Sequence, residues 1–220
     1  ILTWKKEFNY SAINNFAVRE AQGEYLLFLN NDVEIITENW LEEMLQLCQQ
    51  KDVGMAGAKL YYPDDTIQHA GVVVGLGGVA AHVLCKLPRD AEGYMGRLRC
   101  VQEISAVTAA CMMVKTSVFK AVGGFDEELK VAFNDIDLCM KVRKYGVKIV
   151  FTPYAELYHY ESKSRGMEDT PEKQLRFSRE VNCFRRKWER ELLKGDPYYN
   201  PNLTLNNTDC SLRKQEKNGD

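Results

Sequence analysis

The apolar pentad Tyr25–Leu29 breaks at once into Asn30-Asn31-Asp32, and this junction constrains the chain more than any other stretch. Five apolar residues without alternation read as a strand covered on both faces, the kind found in parallel sheets. Ahead of it, the run SAINNFAVREAQ sets Ile13, Phe16, Ala17 and Ala21 near helical spacing, with Gly23 placed to cap the end, which predicts a short helix over 11–22. Behind it, Thr37 is placed to cap a helix running to about Gln50, with Trp40, Leu41, Met44, Leu45 and Leu47 packing inward. A second apolar strand begins near Val53. Helix, strand, helix and strand in that order imply an α/β fold.

Between 61 and 102, the cluster Gly75, Gly77 and Gly78, together with Pro63 and Pro88, predicts loops and short hairpins, read as a substrate-facing insert. Strand character returns over 103–114. A short helix over 116–122 closes at Gly123-Gly124. Asn134 opens a helix to Tyr145, closed by Gly146 and followed by a strand over 147–151. Pro171 behind Thr170 opens a long helix to about Leu193, on which Phe177, Val181, Phe184 and Trp188 form an apolar stripe. The polar, turn-rich composition of 196–220 predicts a tail.

Charge and cysteine usage narrow the function. With 29 basic and 31 acidic side chains the net charge is −2, which gives no field to gather nucleic acid, so nucleic acid is not an expected partner. No apolar run reaches the roughly 18 residues that a spanning helix needs. Residues 1–10 carry no apolar signal core. Seven cysteines, odd in number and without a C-x-x-C pair, read as small buried residues of a reducing compartment. A cytoplasmic protein is the expectation.

Three segments carry chemistry. Asp32 stands where a strand ends, the place where open α/β sheets bind ligands. With Asn30 and Asn31 it offers hard oxygen donors suited to Mg2+ or Mn2+ bridging a diphosphate, although Asn-Asn-Asp is equally a turn after a strand. In FNDIDLCMKVRKYG, Asp135 shares the helical stripe of Leu138, Cys139 and Val142, whereas Asp137 points elsewhere. Asp135 therefore reads either as a helix cap or as a base held in a cleft. In YAELYHYESKSRG, His159 ends a short strand and can ligate a divalent metal, and Arg165 can grip a diphosphate. His69 and His82 read as hydrogen-bonded buried histidines.

In combination, FLNNDVE, FNDIDLCMKVRKYG and YAELYHYESKSRG resemble the family 2 glycosyltransferases of the GT-A fold. The likeness is strongest to bacterial enzymes, often rhamnosyltransferases, that extend cell-surface polysaccharides. It runs over about 8–205 and includes SAVTAACMMVKTSVFKAVGGFDE. The resemblance implies that Asn30, Asn31 and Asp32 occupy the place of the family's D-x-D motif, with Asp32 on the metal. By the same resemblance Asp135 is the general base and His159 completes the metal site. Arg165 matches a diphosphate contact, and Ser105, Thr108, Ala109 and Asn134 match the wall beneath donor sugar and acceptor. Asn30, Asn134 and Ala109 stand where many members have Asp, Glu and Gly.

The implied fold is a Rossmann-like mixed sheet flanked by helices. The family's first strand–helix units, which carry the nucleotide pocket, find no match after Ile1. Residues 1–195 thus read as the C-terminal two thirds of a GT-A domain, with 196–220 as the tail. The implied reaction is metal-dependent, inverting transfer from a nucleotide diphosphate sugar to a glycan or lipid-linked glycan acceptor. The basic residues Lys173, Arg176, Arg179, Arg186, Lys187 and Arg190 add a weak membrane-surface contact as an alternative to a plain solvated helix face. A non-catalytic carbohydrate-binding or scaffold fragment, and a nucleotidyltransferase, are the rival functions.

Overall fold

The computed structural model describes residues 1–161 and 170–214. In chain order, the first half holds α1 (Tyr10–Glu20), β1 (Tyr25–Leu29), β2 (Val33–Ile35), α2 (Trp40–Cys48), β3 (Val53–Tyr61), β4 (Ile67–His69), β5 (Val72–Val74) and β6 (Ala80–His82). The second half holds β7 (Gln102–Glu103), β8 (Cys111–Lys115), α3 (Thr116–Ala121), α4 (Asn134–Tyr145), β9 (Lys148–His159), α5 (Pro171–Lys187) and α6 (Glu189–Lys194).

The central sheet is mixed and runs β1-β8-β3-β9-β2, with β4 added to β3 and β7 to β9. Only β3 and β9 are parallel; the remaining pairs are antiparallel. All nine residues of β3 are buried, because helices and loops cover both faces of the sheet. On one face, Trp40, Met44, Leu47 and Cys48 of α2 pack on Ala56, Cys111, Met113, Val150 and Leu157. On the other, Phe28, Met55, Met112 and Val114 meet Phe119 of α3 and Leu138 and Val142 of α4. At Gly57 an added Cβ would fall 2.3 Å from Val107 Cγ1, so only glycine lets the 104–110 loop lie on the sheet here.

β9 has two parts. Its first pairs Ile149, Val150 and Phe151 with Met55, Ala56 and Gly57. Residues 152–155 then have no partner in β3, and pairing resumes at Lys59↔Glu156 and continues to Tyr61↔Tyr158. Pro153, which lacks an N–H to donate, falls inside this unpaired excursion. The sequence predicted that the strand stops at Phe151. The excursion instead lets it resume and joins two predicted strands into one.

Other expectations are corrected in the same way. β1 has the predicted bounds but is an antiparallel strand with β8 as its neighbour, and Leu27 and Leu29 are 37% and 40% exposed. The described chain covers just one of its faces, the one that carries Leu26 and Phe28. α1 starts behind an Asn9 cap that accepts from Ala12 N, and its end leaves through an extended Ala21 rather than at Gly23. Thr37 does not cap α2; its Oγ1 accepts from Glu156 N and ties this loop to β9. Leu41 lies on the exposed side of α2. The strand expected over 103–114 is split into β7 and β8 by the irregular 104–110 stretch. α4 matches its predicted bounds and ends at Gly146, whose φ of 96° suits a residue without a Cβ.

The 61–102 segment is less peripheral than its glycines suggested. β4 joins the main sheet, β5 and β6 form their own pair, and Val72, Val73, Val74, Leu76, Leu84 and Leu98 are all buried. The predicted tail is also packed as far as Cys210. Tyr199, Leu203 and Cys210 are buried, Asp196 accepts from Val74 N, and the carbonyls of Leu205 and Thr208 accept from Gly77 N and Leu84 N. Asp196 and the main chain of this stretch bond the backbone of 74–84, while Asn200, Asn202, Asn206 and Asn207 face water.

The predicted long helix kinks at Trp188 into α5 and α6. Phe184 and Trp188 are buried, but Phe177 stays 41% exposed beside Phe133. Lys187 leaves the supposed basic face and pairs with Asp126 and Asp137. Asp137, which points away from the Asp135 stripe, is the fully buried carboxylate of α4, because α5 covers that side of the helix. It accepts from Trp188 Nε1 at 2.8 Å and lies 3.3 Å from Lys141 Nζ. Asp137→Ala would strand an indole N–H and take one carboxylate partner from Lys141 and Lys187, and it should cost about 2–3 kcal/mol of stability. Urea unfolding measures that loss; a change within error would show the α4–α5 contact to be held by apolar packing alone.

Candidate functional site

The end of β1 and the end of β9 are brought together by β2. Val33 pairs with His159, Glu34 with Tyr158 and Ile35 with Leu157. Tyr160 N then donates to Asp32 O at 2.8 Å. These main-chain bonds set the side chains of Asn30, Asp32 and His159 in one place. Asn30 Nδ2 is 3.1 Å from His159 Nε2, and Asp32 Oδ1 is 3.3 Å from the same nitrogen. That Asp32 oxygen is buried and accepts no hydrogen bond. Asn31, between them in sequence, is exposed.

Behind His159 lies a polar cluster in which Gln68, His69 and His82 join the site. Gln68 Oε1 is 2.7 Å from His159 Nδ1, and Gln68 O accepts from His82 Nδ1 at 2.9 Å. His69 is fully buried, 3.2 Å from His82, and Thr108 N donates to its Nε2. Burial first, and then the nearby His82 and His159, hold His69 well below the ordinary histidine value. Burial also lowers His159, against the opposing pull of Asp32 and Glu161. A cavity of about 300 Å³ opens here, lined by Gln68, His82, Cys85, Thr108, His159 and Glu161.

Asp135 occupies the first turn of α4. Its Oδ1 accepts from Ile136 N at 2.8 Å and its Oδ2 from Ala109 N at 3.2 Å. Tyr10 donates to Ala109 O, and burial followed by the charge of Asp135 pushes its phenol up. The next residue, Ala110, accepts from Asn30 N at 3.0 Å. The 108–110 stretch thus bridges Asp135, the strand end that carries Asp32, and the histidine cluster.

The other predicted residues fall outside this group. Ser105 is buried and accepts from Arg143. Asn134 is buried and its amide donates to Val131 O. Arg165 lies outside the described residues. A larger cavity, about 1160 Å³, is lined by Lys59, Asp65, Arg89 and Glu156 and by none of the predicted site residues. Of its charges, Arg89 is paired with Asp65 and Glu156, and Lys59 donates to Leu98 O. Gln68 was missed because a lone glutamine carries no motif. Its one sequence signal is the adjacent His69, which was read as a core residue.

Comparison with known proteins gives this geometry a family. Residues 1–180 match the model described as "Glycosyltransferase like family", and the chain belongs to that family. A protein of Sinorhizobium fredii, named as uncharacterized protein y4gI, is 55% identical over 96% of the chain and 23% of its own length. The O-antigen biosynthesis protein RfbC of Myxococcus xanthus is 42% identical over the whole chain and 17% of its own length. The chain therefore spans less than a quarter of either curated relative. Among solved structures, GalNAc-T7 with UDP, GalNAc and Mn2+ superposes with a TM-score of 0.60 at 13% identity, covering 86% of this chain and 36% of that one. The fold is that of the GT-A glycosyltransferases.

The buried histidines set a pH dependence. Because His69 and His159 are lowered in the folded state, the unfolded chain binds more protons below about pH 6.5. Stability is then fully present above that pH and falls as pH drops toward the folded values, by up to about 1.4 kcal/mol per pH unit per histidine. Urea midpoints at successive pH values should show this slope, and His69→Gln should make it shallower. Equal slopes in the two proteins would assign the acid sensitivity to other groups.

Proposed function

We propose that this chain serves a glycosyltransferase that moves a sugar from a nucleotide diphosphate sugar to a hydroxyl of a glycan acceptor, with inversion, in polysaccharide synthesis at the cytoplasmic side of the membrane. The observation that carries the reading is the buried, unbonded Asp32 Oδ1 beside His159 Nε2. A carboxylate and an imidazole so placed would hold a divalent ion such as Mn2+ or Mg2+, with coordination positions left for diphosphate oxygens. Among the described residues no third His, Cys, Asp or Glu joins them, which suits a metal shared with substrate rather than one closed in by protein. The structural neighbour solved with UDP and Mn2+, and the relative named for O-antigen biosynthesis, support the donor and the pathway class.

In this reading the ion, when bound, offsets the charge that gathers on the leaving nucleoside diphosphate. Asp135 takes the proton from the acceptor hydroxyl as that oxygen bonds to the anomeric carbon and the carbon–phosphate-oxygen bond breaks. Ala109 N–H and Ile136 N–H each donate to one carboxylate oxygen of Asp135, which fixes its direction and leaves further lone pairs free for that proton. Asn30 N–H, bonded to Ala110 O, keeps the metal side and the base side in a constant relation.

In the full-length protein, Asp135→Asn should lower kcat by about 10²- to 10⁴-fold while nucleotide affinity persists. Asp32→Ala should abolish Mn2+ uptake with little loss of fold. Calorimetric titration with nucleoside diphosphate and Mn2+, alongside turnover, tests both. Unchanged turnover in Asp135→Asn would return that residue to a helix-cap role, and absence of any nucleotide binding would favour the carbohydrate-binding scaffold.

A further inference from the structure

We propose that Gln68 is a positioning residue: its amide holds the His159 ring in the tautomer with the proton on Nδ1, which turns the Nε2 lone pair toward Asp32. The argument is one of hydrogen-bond direction. Gln68 is buried, and its Nε2 faces two oxygens, His159 O at 3.2 Å and Glu161 Oε2 at 3.4 Å. A main-chain carbonyl and a carboxylate only accept, so the NH₂ end of the amide must lie on that side. Oε1 is thereby fixed at 2.7 Å from His159 Nδ1. Because Oε1 also only accepts, Nδ1 must carry a proton, and a neutral ring has just one.

The other side of the ring fits this tautomer. Asn30 Nδ2, 3.1 Å away, can donate to a bare Nε2. Asp32 Oδ1, 3.3 Å from Nε2, lies off the direction of a ring hydrogen bond. The opposite tautomer would set the Nδ1 lone pair against Oε1 at 2.7 Å. Gln68 is itself held from its backbone by His82, and its neighbours Ile67 and His69 pair with Tyr61 and Leu60 of β3. The amide thus acts from a rigid strand. Metal-binding histidines are commonly oriented through their second nitrogen in this way.

The value of this arrangement for metal binding rests on the reading of the site given above; the tautomer itself does not. The test is therefore the long-range ¹H–¹⁵N correlation spectrum of His159 in the full, metal-free chain at mildly alkaline pH, followed by Mn2+ titration. Wild type is expected to show Nδ1 protonated and Nε2 bare. Gln68→Met, which keeps the volume but not the amide, should lose that preference and weaken Mn2+ binding about 10- to 100-fold. Gln68→Glu, which keeps an acceptor opposite Nδ1, should restore the wild-type ring pattern. A proton on Nε2 in wild type overturns the proposal even if no variant folds. So does an unchanged ring pattern in Gln68→Met. A wild-type ring of the expected tautomer that takes up no Mn2+ supports the role of Gln68 and overturns the metal reading instead.

Discussion

Three residue pairs, Val33↔His159, Glu34↔Tyr158 and Ile35↔Leu157, hold the candidate site together. They are backbone pairs, so their geometry depends on strand spacing rather than on long flexible side chains. Opposed residues in an antiparallel pair lie roughly 4.5–5.5 Å apart, close enough for the flanking Asp32 and His159 to converge. The Tyr160 N–H to Asp32 O bond closes the far end of this short ladder, and Ile36 N and Thr37 N, both donating to Glu156 O, close the near end. A site assembled from side chains alone would have to order each one separately, at the cost of its conformational entropy.

The second structural constraint is polar and buried. Asp137, Trp188, Lys187 and Lys141 lock α4 to the kink between α5 and α6. Glu180, also buried, accepts from Val131 N and Ala132 N, just ahead of α4. Both carboxylates fix the start of α4, where Asp135 stands, and Phe133, with φ of 61°, is held in its left-handed conformation between these contacts. A buried carboxylate is costly unless it is paired, so these contacts specify one docking of α5 in a way that apolar packing does not.

Much of the fold was legible where one local signal decided it. α4 is framed by Asn134 and Gly146, α5 by Thr170-Pro171, and β1 by an apolar run with polar ends, and each has the predicted bounds or start. The failures share a cause: the deciding partner was remote in sequence. Thr37 looked like a cap until Glu156 N claimed its hydroxyl. Asp137 could be read only as pointing away from the Asp135 stripe, because the Trp188 that it meets lies 51 residues on. The polar 196–211 stretch looked like tail because its partners are the backbone groups of 74–84. The meeting of Asp32 with His159 was anticipated from strand ends. The amide behind His159 was not, since nothing local distinguishes Gln68 from any other buried glutamine.

The unpaired excursion at 152–155 gives the chain a length buffer. Side chains alternate along a strand, so a one-residue slip inside the 156–159 ladder would carry His159 to the opposite face of the sheet and Tyr158 into its place. A residue added or lost at the exposed Tyr154, between the buried Pro153 and Ala155, meets no ladder of β3, so both paired parts can keep their register. Insertions and deletions in this lineage should therefore be tolerated at Tyr154 and strongly selected against a few residues later. Two stretches of a single strand would then evolve under different rules of length.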